Sequence, residues 1–293
     1  DGIRDVERSR GLGDVYKRQG VVEEVGRDVK KVKIGDKIVA DIETSEGWIG
    51  VEIDGGYAEY MRVPEEVVHK CPPDMDLDAA ALCEPVVASI HCFQERNTIN
   101  AGDFVVVVGP GPMGILAVQF AKLRGAREVV LVGLRSDEER LKVGKKVGAD
   151  RIFYYEDNPV EEIIEISGGG ADFVADCAGT ESGTQFAIDV AKPASTGPGG
   201  KGRISLVAMW GKPITLRMDK VSMKQLDLKG SWSWNGPETW ERAIKLLYKG
   251  FINYKDMITG RYTLEEWKVA FKNLRNKRDV KAFIHPNGTD WKY

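Results

Sequence analysis

The pattern of apolar and polar positions changes character twice along the chain. From Gly20, the run GVVEEVGRDVKKVKIGDKIVADI sets short β-branched stretches between Gly, Asp and Lys, which predicts small strands joined by turns. Gly35 and Asp36 fall between Val32, Lys33, Ile34 and Lys37, Ile38, Val39, where a turn reverses or redirects the strand. After Gly55 and Gly56, residues 57–63 continue the β texture. Residues 76–93 are rich in Ala, Val and Leu and predict helix, with Pro85 near a turn or kink.

The second change follows Gly102. Residues 104–108 are continuously apolar, as in a strand buried on both faces of a parallel sheet. Gly109, Gly111 and Gly114 follow, then a helical pattern through Ile115, Val118, Phe120 and Leu123 that stops at Gly125. A strand over 128–132 leads to a helix over 137–147, whose start has Ser136 and Glu139 at capping-box spacing. Strands over 150–153 and 172–177, with a helix over 159–166 between them, complete a βαβαβ succession. Right-handed crossovers make a doubly wound parallel sheet its natural result.

Residues 193–202, PASTGPGGKG, read as a surface loop ahead of a strand at 203–207, with an interdomain linker as the alternative. Trp240, Ala243, Ile244 and Leu247 mark an amphipathic helix ended by Gly250. Another helix starts at Thr263 with Glu266 reaching back, and shows Trp267, Phe271 and Leu274 on one face. Residues 1–19 show no sustained apolar period and read as a leader, or as a short helix around residues 3–10.

Composition narrows the function. At 293 residues, two domains are expected. The 42 basic and 45 acidic side chains leave a net charge of -3 without a dense basic stripe, which argues against nucleic acid. No apolar run approaches the length of a membrane span, and no secretory segment stands at the N-terminus. Cys71, Cys83, Cys92 and Cys177 form no CxxC, so they spell neither a disulfide framework nor a zinc knuckle. A reducing, cytoplasmic setting fits.

The chemistry concentrates in GPGPMG at 109–114, set between a buried strand and an apolar helix. Gly109 permits the tight turn, Gly111 lets a pyrophosphate approach the backbone, and Gly114 allows strand and helix to pack closely. Pro112 and Met113 complete the turn into the helix, whose N-terminus faces the anion. At the end of the next strand come Gly133, Leu134, Arg135 and Ser136, without the acidic residue that reads the ribose hydroxyls of NAD. Arg135 suits a phosphate and favours NADP over NAD; alternatively it faces solvent while Asp137 or Glu138 supplies the carboxylate.

From Gly20 onward the chain resembles the medium-chain zinc-dependent alcohol dehydrogenases, nearest the sorbitol and threonine dehydrogenase branch. The resemblance rests on GVVEEVG at 20–26, KIGDKI at 33–38, GGYAEYMRVP at 55–64, CEPVVASIHCF at 83–93, the glycine loop, ERLKVGKKVGAD at 139–150 and DLKGSWSWNGPETWERAIKLL at 227–247. It implies an α/β fold: a doubly wound Rossmann-type domain plus a GroES-like β-rich catalytic domain, here incomplete. The implied boundaries are an unmatched leader at 1–19, a partial catalytic domain at 20–92, the nucleotide-binding domain at 93–229, and at 230–293 the end of that sheet and a return to the catalytic domain.

The resemblance further implies a catalytic zinc, a small alcohol or polyol substrate, NADP or NAD as cofactor, and a homodimer or homotetramer. Glu84 matches the glutamate that the polyol branch uses at the metal, and a helix-start cap is its alternative role. His91 reads as packing or a hydrogen bond rather than a ligand. The places of the family's Gly-His-Glu, counted back from Gly20, hold Val15, Tyr16 and Lys17, and the upstream cysteine ligand has no counterpart. An N-terminally truncated or misjoined dehydrogenase is therefore expected. Between Ile42 and Gly55 there is no cysteine, so a compact turn is expected where relatives carry a structural zinc lobe. Two other functions fit the same segments: a catalytically silent nucleotide-binding protein, and a zinc-independent quinone-type reductase.

Overall fold

The computed structural model describes residues 18–194, 200–233 and 235–288. The leader or helix expected at the N-terminus falls, over residues 1–17, outside the described residues, as do residues 195–199 of the glycine-rich 193–202 segment. The chain divides into two compact units, Asp1–Val87 with Asn235–Tyr293, and Ala88–Trp234.

In the first unit, β1 (Arg18–Val21) pairs antiparallel with β2 (Lys37–Ala40), Gln19 facing Val39. The strand takes in Arg18 and Gln19, the last two residues of the stretch expected as a leader. Gly35 makes the expected turn at φ 87°, but the preceding residues 32–34 form no strand. Their place in the fold is a loop, closed where the Val22 N–H donates to Asp36 O and the Gly35 N–H to Val22 O. Residues 43–54 form a small hairpin of β3 (Glu43–Thr44) and β4 (Gly47–Trp48), closed where Thr44 Oγ1 donates to Gly47 O at 2.7 Å. Ile49 beyond it is buried and anchors the turn.

Residues 57–63, expected as strand, contain none. Strand-favouring residues hold a strand only where a neighbour completes the ladder, and the three-stranded sheet of this unit runs β1-β2-β5, with β5 at Val68–Lys70. The helix expected over 76–93, with a turn or kink near Pro85, is two helices that part at Leu82. Asp76 caps α1 (Leu77–Ala81) by accepting the Asp78 N–H, the chain turns at Leu82, and α2 (Cys83–Ile90) follows. Pro85, in the first turn of α2, lacks the N–H that would continue α1. A single wide π-helical turn, His91–Glu95, ends the helix.

The second unit is built on β6 (Phe104–Val108), all five of whose side chains are buried. That burial contributes on the order of 10 kcal/mol of transfer free energy, and it explains why no polar residue interrupts the run. From β6 the chain passes through α3 (Pro112–Leu123) to β7 (Glu128–Gly133), then α4 (Glu138–Lys146) and β8 (Arg151–Tyr154). It next crosses through α5 (Val160–Ser167) to β9 (Phe173–Asp176) on the other side of β6. Three elements not read from the sequence follow in this unit: α6 (Glu181–Val190), α7 (Met218–Lys224) and β11 (Asp227–Gly230), with β10 (Arg203–Leu206) where a strand was expected. The six parallel strands run β11-β10-β9-β6-β7-β8.

The N-cap residue of α4 is Asp137, not Ser136. A 3-10 turn at Arg135–Asp137 intervenes, and the Asp137 carboxylate accepts the Leu134 N–H at 3.1 Å. The first unit resumes with α8 (Pro237–Tyr248), β12 (Ile258–Thr263), α9 (Trp267–Arg275) and β13 (Lys281–His285), β12 and β13 being parallel. Glu266 reaches back to accept the Thr263 N–H at 2.9 Å, but the helix expected from Thr263 starts at Trp267 with Glu266 as its N-cap, and Thr263 ends β12.

Candidate functional site

Strand β6 is the first strand of its sheet in the chain, yet it lies inside the sheet. Its successors go one way to β7 and β8, and the return goes the other way to β9. Connections that diverge from adjacent parallel strands leave a crevice at their carboxyl ends, the switch point of a doubly wound sheet. Both neighbours hold the end of β6 in place: the Gly109 N–H donates to Val132 O at 2.8 Å, and the Cys177 N–H to Val108 O at 2.9 Å.

The three glycines of the loop are required for different reasons. Gly109 has φ 96°, and a Cβ there would lie 3.0 Å from Ala178 Cα. At Gly114 a Cβ would stand 1.9 Å from Gly109 O, so the helix can approach its own strand only without a side chain. A Cβ on Gly111 would meet no atom of the chain within 4 Å. Space beside the Gly111 backbone is therefore open, while the other two positions are closed by the protein itself.

Gly111 is also the N-cap of the twelve-residue helix α3, with Pro112 at its first position. The first intrahelical bond runs from the Ile115 N–H to Gly111 O, so the Met113 and Gly114 N–H groups precede it. Such a helix start, carrying the positive end of the helix dipole beside open space, suits an anion. The residues present fit a dinucleotide diphosphate. The tip of β7 adjoins this loop, since a Cβ on Gly133 would lie 3.0 Å from Pro110 Cγ and Cδ.

At that tip, Arg135 Nη2 lies 2.5 Å from Asp157 Oδ1, and the guanidinium carbon sits 4.6 Å from the Tyr154 ring centre. Ser136 lies within the same 3-10 turn. The two carboxylates named as alternatives to the missing ribose acceptor are both engaged. Asp137 is buried on the Leu134 N–H, and Glu138 Oε2 accepts the Tyr154 hydroxyl at 2.7 Å.

A buried polar chain at the end of β9 went unread in the sequence. Trp210 Nε1 donates to Thr184 Oγ1 at 2.8 Å, and Thr184 Oγ1 donates to Asp176 Oδ2 at 2.6 Å. Burial pushes the Asp176 carboxyl up from its ordinary value, against the hydroxyl and the Ala178 N–H that favour its charge. The signal available was an acid closing an otherwise apolar strand run, DFVADC.

Gly109, Gly111, Pro112, Met113, Gly114, Arg135 and Ser136 thus all lie at the carboxyl ends of β6 and β7 in the second unit. Glu84 lies in the first unit, half-buried in the first turn of α2. His91 pairs through Nδ1 with Glu95 Oε2 at 3.1 Å, the hydrogen-bonding role read from the sequence. Among the described residues no group of three His, Cys, Asp or Glu side chains could hold a metal ion. Those residues do not fit a catalytic zinc site as they stand.

Residues 17–73 match the alcohol dehydrogenase GroES-like domain, and residues 112–249 match the zinc-binding dehydrogenase family. A sorbitol dehydrogenase of Halalkalibacterium halodurans is 30% identical over 288 residues, which cover 91% of this chain and 81% of that one. The chain belongs to the medium-chain zinc-type alcohol and polyol dehydrogenases. At the level of the family it is an NAD(P)-linked oxidoreductase with a Rossmann-like parallel sheet and a GroES-like antiparallel sheet. A D-arabitol-phosphate dehydrogenase of Enterococcus avium is 31% identical over 288 residues, covering 92% of this dehydrogenase and 80% of the relative. The crystal structure of 2R,3R-butanediol dehydrogenase from Bacillus subtilis superposes with a TM-score of 0.81 at 26% identity, covering 93% of this chain and 80% of that one. A zinc-binding dehydrogenase of Sinorhizobium meliloti bound to NADP superposes at 0.78, also at 26% identity, covering 92% and 82%. No helix among the described residues is long and apolar enough to cross a membrane.

Proposed function

We propose that this dehydrogenase oxidises a secondary alcohol or polyol with a nicotinamide dinucleotide held at the glycine loop. The observation that carries the reading is the open space at Gly111 between two glycines closed by the chain itself. A bound nicotinamide supplies the hydride acceptor. The chain's own contribution is to hold the diphosphate on the backbone of Gly109, Gly111, Pro112, Met113 and Gly114, and the adenosine end beside Arg135 and Ser136. Relatives named for sorbitol, D-arabitol phosphate and 2R,3R-butanediol support a polyol or diol as substrate.

We assign Glu84 to metal contact from its place in CEPVVASIHCF. The described residues add no further donor set around it, so no step of the reaction is derived through a metal. That same observation favours a second reading, nucleotide binding without turnover.

Quenching of intrinsic tryptophan fluorescence by NADH and NADPH, together with turnover on a panel of polyols, tests both. Binding that is lost in Gly111→Val and unaffected by EDTA supports the dinucleotide site, because its contacts are backbone groups rather than metal ligands. Turnover then selects the dehydrogenase, and binding without turnover selects the silent protein. Binding that survives Gly111→Val unchanged would overturn the site.

A further inference from the structure

We propose that Asp157 occupies, on Arg135, the position taken by the 2′-phosphate of NADP(H), so that Arg135, held on the Tyr154 ring, favours NADP over NAD and Asp157 tempers that preference. This inference rests on the dinucleotide reading of the glycine loop and adds to it two residues from a different strand end.

The arrangement is built by the register of β7 and β8. Gly133 lies opposite Tyr154 in the parallel pair, so the chain leaving β7 folds its Arg135 over the Tyr154 ring. The ring is itself held by its hydroxyl on Glu138, and the Arg135 N–H is held by Glu156 at 3.1 Å. A 3-10 turn at Tyr155–Asp157, closed by Asn158 in the left-handed region at φ 50°, brings Asp157 back onto the guanidinium. The guanidinium is thus fixed on one face by an aromatic ring and met along its edge by one carboxylate oxygen.

The binding partners at this tip are unequal. Asp137, Glu138 and Glu156 are each committed to a backbone N–H or a hydroxyl, which leaves no carboxylate poised for the two ribose hydroxyls that NAD presents. Asp157 differs in its partner, the guanidinium itself. Its side chain is 53% exposed and that of Arg135 59%, and their contact runs through a single nitrogen. An ion pair with both ends in water is weak. A phosphate brings more charge and several acceptor oxygens, and it can engage the planar fork at two points, so it displaces a single exposed carboxylate. Asp157 must turn away when that happens, since its charge would repel the phosphate. The stacked ring keeps the guanidinium in place through the exchange.

Dissociation constants for NADPH and NADH, measured by fluorescence on the full chain at fixed ionic strength, test the exchange. Wild type is expected to hold NADPH more tightly than NADH, and more steeply so at low salt. Arg135→Ala should lose about tenfold or more in NADPH affinity, the size of a hydrogen-bonded charge contact, with little change for NADH. Asp157→Asn should gain roughly two- to fivefold for NADPH, the size of an exposed ion pair, and nothing for NADH. If Asp157→Asn melts early, Asp157→Ser takes its place. Tighter binding of NADH by wild type, or an NADPH affinity indifferent to both Asp157 variants, overturns this proposal while leaving the glycine-loop site standing. Failure of both dinucleotides to bind removes the loop reading and this one with it.

Discussion

The two units carry their chemistry in different materials. In the second, the candidate site is made of main chain: a turn, a helix start and three positions without side chains, all within six consecutive residues. In the first, the one candidate metal contact, Glu84, is a side chain, and no converging donors accompany it among the described residues. A backbone site is assembled by local folding alone. A side-chain site depends on several distant segments arriving together. This explains why the candidate dinucleotide site needs only one local run of chain, while a metal site needs donors that the described residues do not bring together.

The sharpest way to break that comparison is to add single carbon atoms to the loop. Gly114→Ala places a methyl 1.9 Å from Gly109 O, a backbone atom that cannot swing aside. We expect a loss of at least about 3 kcal/mol, or failure to fold. Gly109→Ala combines a positive φ with a 3.0 Å approach to Ala178 and should cost about 1–3 kcal/mol. Gly111→Ala meets nothing and should cost about 1 kcal/mol or less, as an alanine at an N-cap. Its damage should fall on dinucleotide affinity instead. Thermal melts and NADH titrations of the three variants check this order; equal melting losses at Gly111 and Gly114 would show that the space at Gly111 is not reserved for a ligand.

The same contrast governs what could be read from the sequence. The run from β6 through the glycine loop to β7 was legible because full burial demands unbroken apolar residues, and because each glycine answers a local requirement. Helix α6 was not, since Gly183 interrupts its pattern; in the fold a Cβ there would lie 2.8 Å from Ala178 Cβ, so packing imposes the glycine that propensity disfavours. Residues 57–63 failed in the opposite direction, with strand-favouring side chains but no strand in the described fold. Arg135 was visible, whereas its partner Asp157 lies 22 residues on and reaches it only through the pairing of β7 with β8. Glu84 was legible only through the surrounding motif, because one carboxylate at a helix start has no distinctive pattern.

The second unit also has a place where a side chain does the work of main-chain pairing at a helix end. Lys224 Nζ donates to three carbonyls at the end of α6: Ile188 at 3.0 Å, Asp189 at 2.7 Å and Ala191 at 2.9 Å. These are acceptors that a helix end leaves unpaired, met here by a cation suited to the negative end of the dipole. Lys224→Met keeps the apolar stem and removes all three donors, and should cost about 2 kcal/mol in a urea melt. A loss below roughly 0.5 kcal/mol, the range of ordinary surface substitutions, would show that water replaces the ammonium freely.

The smallest effect tests the first unit, where side chains carry the order. His69 stacks on Trp240 at 4.9 Å and 7° between planes, and Trp240 Nε1 donates to Asp41 Oδ2 at 3.1 Å. Burial, with the charge of Lys31 adding to it, pulls the imidazole down from 6.5 to about 4. The unfolded chain therefore takes up a proton that the folded chain refuses, and stability falls as pH drops from about 6.5 to about 4. Asp41 acts with the opposite sign. Burial raises its carboxyl above 3.8, so the folded state binds that proton more readily and regains stability as pH falls into the carboxylate range. The histidine loss comes first on acidification, and the aspartate gain follows it. Allowing for the partial exposure of the ring, the loss is on the order of 1–2 kcal/mol. His69→Phe keeps the stack and cannot take the proton, so its melting temperature should fall less than that of wild type between pH 7 and pH 5. Parallel declines in the two proteins would mean that the imidazole stays as accessible to protons in the folded unit as in the unfolded chain.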